Sequence, residues 1–159
     1  MAISYSLEMA TPLPAEQLGC ELISVGKAAG LFDASVTPDL VLGEGAATER
    51  GTWTRVRDAS PEPWHPVITD LGFTPTVSVT FRFKKQDLSS QDDDMIRLVS
   101  GLLERVHGDA VLHFQFESIW LLRRGTDLSL SEDDDLWPSH RLALVFQPYV
   151  RATHTFSEE

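Results

Sequence analysis

Residues 76–84, TVSVTFRFK, alternate with a period of two. Val77, Val79, Phe81 and Phe83 face one way, and Thr76, Ser78, Thr80, Arg82 and Lys84 face the other. A strand that is apolar on one face and wet on the other belongs to an antiparallel sheet with helices on one side. The following segment supplies such a helix: Met95, Ile96, Val99, Leu102, Leu103 and Val106 form one apolar stripe, stopped by Gly108. Ser90 with Asp93 resembles a capping box, which puts Asp92, Asp93 and Asp94 in the first helical turn, facing the positive end of the helix dipole. There these acids have a structural reason to exist and need no functional one.

The rest of the chain fits the same architecture. Ile3, Tyr5, Leu7 and Met9 alternate with polar residues and predict a strand. Leu18, Leu22, Val25 and Ala29 predict a helix ending at Gly30. Short strands are expected over 36–42 and 52–57, joined by the glycine-rich loop GEGAATERG. Trp64, Val67, Ile68 and Leu71 fit one or two helical turns closed by Gly72. Leu112, Phe114 and Phe116 alternate as a strand, Glu117 and Ser118 turn, 119–123 returns, and a second turn leads into 128–131. PSHRLALVF reads equally as a short helix or a strand. No repeat or domain boundary interrupts this order. The expectation is one α+β domain over 1–159, with an antiparallel sheet, a meander in its C-terminal half, and two main helices packed on one face.

A chain of 159 residues with 42% apolar side chains builds one core. Its net charge of -11 is spread evenly: residues 1–79 carry 4 basic and 10 acidic side chains, and residues 80–159 carry 9 and 14. Such a surface repels phosphate backbones and anionic membranes, so neither nucleic acid nor membrane is an expected ligand. Basic proteins are the complementary class. Cys20 is the sole cysteine, which rules out an internal disulfide and suits a reducing compartment. MAISYSLEMA lacks a positive leader followed by an apolar run, and no uncharged stretch approaches the ~18 residues needed to span a bilayer. A cytoplasmic domain is expected.

The sequence offers no catalytic constellation. His65, His107, His113, His140 and His154 show no HExxH or other close ligand pairing, and one cysteine cannot build a structural zinc site. His113 reads as a sheet-face residue, and His140 as an electrostatic neighbour of the acids that precede it. No GxSxG, P-loop or dinucleotide fingerprint occurs. No catalytic residue, metal or cofactor is therefore expected.

SEDDDLWP, 131–138, asks for an explanation. A calcium loop from Asp133 would need a glycine sixth and a glutamate twelfth, and those places hold Pro138 and Leu144. A magnesium site would need a phosphate-bearing partner that no glycine-rich loop here holds. Two readings remain. In one, Glu132, Asp133, Asp134 and Asp135 form an exposed loop facing a basic partner, with Trp137 half-buried beside them as a contact anchor. In the other, the acids are simply solvated and Trp137 packs beneath the C-terminal segment.

Three stretches, LGFTPTVSVTFRFKK (71–85), QDDDMIRLVSGLLERVHGDAVLHFQFESIWLLRRG (91–125) and DLWPSHRLALVFQPYVRATH (135–154), together resemble the Sit-type immunity proteins, the antidotes of swarm-inhibition toxins. The shared features are the GFxPTVxVxFR strand, the long helix, the GDAVL strand, the WLLRRG turn and the terminal W-P-x-x-R-L-A-L segment. This resemblance implies a small cytoplasmic protein that binds and neutralises a cognate toxin, without catalysis. It carries over no contact residues. The alternative is an acidic, non-catalytic binding module or subunit.

Overall fold

The computed structural model describes residues 3–157. In chain order it contains β1 (Ile3–Ala10), α1 (Ala15–Ala28), α2 (Pro38–Leu42), β2 (Ala46–Ala47), β3 (Trp53–Asp58), a π-helical turn (Val67–Leu71) and β4 (Val77–Phe83). These are followed by α3 (Leu88–Arg105), β5 (Asp109–Phe114), β6 (Ser118–Arg124), β7 (Asp127–Leu130), α4 (Ser139–Leu142) and β8 (Val150–Arg151). One eight-stranded sheet runs in the order β2-β3-β4-β1-β5-β6-β7-β8. Every pairing is antiparallel except β7 with β8, which is parallel.

The N-terminal strand is central, between β4 and β5. Its register sets Tyr5 opposite Phe81, Leu7 opposite Val79 and Met9 opposite Val77, so the apolar residues of both strands share the inner face. All of these side chains are buried, together with Leu18, Leu22 and Val25 of α1 and the whole predicted stripe of α3. The two helices approach closely because Gly101 has no side chain; a Cβ there would lie 2.3 Å from Val25 Cγ1. Arg123 of β6 closes the far end of α3. It is buried and donates to the carbonyls of Leu103 (2.9 Å), Val106 (2.7 Å) and Gly108 (2.8 Å), which the helix itself leaves unpaired.

Four expectations change. Residues 36–42 contain a helix, α2, whose start was legible: the Thr37 side chain accepts the Leu40 N–H, and Pro38 occupies the first turn. The glycine-rich loop contributes the two-residue edge strand β2. α3 begins at Leu88 after a left-handed Asp87, so Asp92, Asp93 and Asp94 fall in its second turn, and Ser90 bonds back to Asp87 instead of capping. The outer face of the sheet is not uniformly wet. Val67, Leu71 and Phe73 cover Val111, Ile119 and Leu122 in a second small core.

Candidate partner-binding face

The acidic loop is tied down at both ends by one oxygen atom. Between β5 and β6 the register passes from Leu112–Leu121 to His113–Ile119, so Trp120 is the extra residue of a β-bulge. The Trp120 carbonyl accepts the Ser131 amide at 3.0 Å, just past β7. It also accepts the Trp137 indole N–H at 2.9 Å. Between these anchors the Asp133 carbonyl takes the amides of Leu136 (3.2 Å) and Trp137 (3.0 Å). The Asp133 carboxylate takes the Asp135 amide at 2.9 Å. Glu132 exchanges two hydrogen bonds with Thr153, at 3.0 and 3.1 Å. Glu132, Asp133, Asp134 and Asp135 are all exposed. Glu132 and Asp133 use an oxygen within the protein, whereas the Asp134 side chain is 93% exposed, with Arg151 at 3.5 Å as its ion-pair partner.

Trp137 does not match the half-buried anchor expected of it. It is 1% exposed and packs edge-to-face on Trp120 at 6.1 Å. The physical reason is local: the turn closed on Asp133 sends the indole inward, where its apolar area is covered and its N–H meets a carbonyl. Trp137 supports the loop from behind and leaves the surface to the acids.

A second brace comes from Arg141 on α4, which is buried beneath the loop. Its Nη1 donates to the Leu136 carbonyl (2.8 Å), its Nε to Asp93 (2.7 Å), and its guanidinium lies 5.8 Å from the Trp120 ring centre. Asp92 lies 3.9 Å from the same guanidinium and neighbours Tyr5. Burial pushes the Asp92 carboxyl up to about 6, against the opposing pull of Arg141. The same burial, with Asp92 adding to it, pushes the Tyr5 phenol up. Asp94 holds Arg97 (3.0 Å) and Arg50 (3.1 Å) on one oxygen; burial pushes its carboxyl above the usual carboxylate range, and the two guanidiniums oppose the rise. The aspartate run of α3 is thus a charge hub joining α3, α4 and the 48–51 turn. His140 pairs with Asp93 at 3.2 Å, not with the acids that precede it in sequence. Sequence reasoning missed this hub because its contacts span long separations, 48 residues from Asp93 to Arg141.

On the outer face Glu8 receives two imidazoles, His113 Nε2 at 2.8 Å and His65 Nε2 at 3.3 Å. Each Nδ1 accepts a main-chain N–H, from Phe116 (3.1 Å) and Val67 (3.2 Å) respectively. Those donors fix the tautomer of each neutral ring, with its proton on Nε2 facing Glu8. His113 is therefore the sheet-face residue expected, and the trio ties the β5–β6 turn to the π-helical turn. Among the described residues no group of three or more His, Cys, Asp or Glu side chains is placed to hold a metal ion.

These features define a class: a small α+β domain that presents a rigidly braced acidic loop. The family follows from comparison with known proteins. A family model described as SitI3-like matches residues 3–141, and the chain belongs to that family. The match takes in the acidic loop, Trp137 and Arg141. No curated protein and no solved structure matches the chain. Among the described residues no helix is long and apolar enough to cross a membrane.

Proposed function

We propose that this protein is a cytoplasmic immunity protein that binds a cognate bacterial toxin and neutralises it by contact, without catalysis. The observation that carries the reading is the family match over residues 3–141. Charge supports it independently. A chain of net charge -11 that holds four successive acids on a surface loop is complementary to a basic toxin. Glu132, Asp133, Asp134 and Asp135 form the contact, with Trp137 and Arg141 keeping the loop in shape beneath it. Acids in succession repel one another in the free protein, and a cationic partner relieves that repulsion.

The test is capture of the product of the adjacent gene by the purified protein, followed by co-expression of the two. One-to-one capture, with growth restored in cells that make the toxin, is the expected outcome. If the two proteins do not associate, or if protection occurs without association, the contact mechanism fails and the chain reverts to an acidic binding module of another pathway.

A further inference from the structure

A pocket of about 360 Å³ opens between the C-terminal end of α1 and the middle of α3, lined by Ala29, Gly30, Glu49, Arg50, Asp94 and Arg97. Its walls are held in place. The Glu49 amide donates to the Leu31 carbonyl at 3.1 Å, and the turn that carries Glu49 and Arg50 is closed by Gly51 N–H to the Thr48 carbonyl at 2.9 Å. Asp94 lies at the floor, 0% exposed. Its Oδ1 takes both arginines, while its Oδ2, equally buried, makes no hydrogen bond within the protein. A buried carboxylate oxygen without a donor is an unfavourable arrangement that a donating group entering the pocket would relieve.

The surroundings select the kind of donor. Glu49 stands at the mouth, and the two arginines are balanced by the two acids, so the pocket itself is close to neutral. The C-terminal end of the fourteen-residue helix α1 borders it, and helix C-termini favour cations. The remainder of the chain is strongly acidic. Burial disfavours the charged form of Asp94 even with Arg50 and Arg97 in contact, so the two guanidiniums do not fully compensate it. Arg50, 46% exposed, forms the edge of the opening.

We propose that this pocket receives one cationic side chain, arginine or lysine, of the toxin, with Asp94 Oδ2 as acceptor at the floor and Glu49 at the rim. This rests on the immunity reading and extends it to a second, deeper contact, distinct from the 132–135 loop. The loop attracts a basic partner over a distance; the pocket holds one of its side chains.

The test needs no toxin. Amide shifts of the isotope-labelled full chain are followed during titration with agmatine, a guanidinium on a butylamine, and in parallel with acetamide, a neutral donor. Saturable shifts confined to 29–31, 49–51 and 94–97 are expected with agmatine only, in the millimolar range suited to so small a ligand. Asp94→Asn should weaken the response about tenfold or more, since it removes the charged acceptor, and Glu49→Gln about threefold. Should Asp94→Asn fail to fold, the exposed Glu49→Gln carries the comparison. Absence of saturable shifts, equal shifts with acetamide, or a response unaltered in the variants would overturn the proposal. A negative titration leaves the immunity reading standing, and a failed toxin capture leaves a positive titration intact, so the two failures are distinguishable.

Discussion

The Trp120 carbonyl and the Trp137 indole N–H meet at 2.9 Å in a buried site, with the two rings edge-to-face. This contact makes the acidic loop a fixed surface and not a loose excursion. Trp137→Ala should cost about 3–5 kcal/mol, as for other buried large aromatics. Trp137→Phe should cost about 1–2 kcal/mol, because the carbonyl keeps the Ser131 amide and loses only the indole donor. Urea denaturation of the two variants measures both. Equal, small losses would mean that the ring is not the brace described.

The helix end closed by Arg123 gives a second prediction. Its guanidinium serves three carbonyls, so no single replacement satisfies them all. Arg123→Met preserves much of the stem packing but removes the donors, and should lower stability by about 2–4 kcal/mol. Arg123→Lys should recover only part of this, because an ammonium cannot span the three acceptors as a planar fork does. Full recovery by lysine would show that charge alone matters.

Phe81 tests the sheet core. It is fully buried at the centre of β4, opposite Tyr5 of β1. Phe81→Ala should cost about 3–5 kcal/mol, read as a lowered thermal midpoint. A melt unchanged by the substitution would contradict its place in the core.

How much of this was legible in the sequence depends on the range of the interactions involved. β1, β4, α1 and the apolar stripe of α3 could be read because their periods of 2 and 3.6 record a single buried face. α2 was misread although Thr37 and Pro38 announced it, since its five residues are too few to show a period. The second turn of α3 was assigned to the first because Ser90 offered a plausible cap, whereas the chain enters the helix through a left-handed Asp87. For the candidate site, the acids were correctly expected to be exposed, but the inward turn of Trp137 depends on a bulge in β6 and a carbonyl 17 residues away. Apart from Arg97, one turn further along α3, the charged partners of Asp92, Asp93 and Asp94 come from α4 and the 48–51 turn, which no local pattern could bring together.

Asp92 predicts a pH dependence. Its carboxyl titrates near 6 in the folded chain and near 3.8 when free, so the folded state holds the proton more tightly. Stability from this group is full below about pH 3.8, falls as pH rises, and reaches its minimum above about pH 6. Asp92→Asn mimics the protonated form and should stabilise the protein at about pH 7.5. After allowance for partial solvent access, the gain should be about 1–2 kcal/mol. The difference should shrink toward zero as pH falls to about 4. If the variant were instead less stable at neutral pH, the Arg141 ion pair would outweigh the burial of the charge.

The acidic loop makes the prediction closest to function. Replacing Asp133, Asp134 and Asp135 together with asparagine keeps the Asp133 side-chain acceptor and touches no buried contact of Trp137 or Arg141. Stability should therefore change by no more than about 0.5 kcal/mol. Association with the toxin should slow by about tenfold or more at low salt, and the dependence of that rate on ionic strength should flatten, because exposed charges act chiefly by steering the encounter. Dissociation should change less, since these side chains remain outside a dry core. Stopped-flow mixing over a range of salt concentrations measures each quantity. A triple variant that associates as fast as the parent at low salt would reduce residues 132–135 to a solvated loop, and would leave the Asp94 pocket as the remaining candidate for contact.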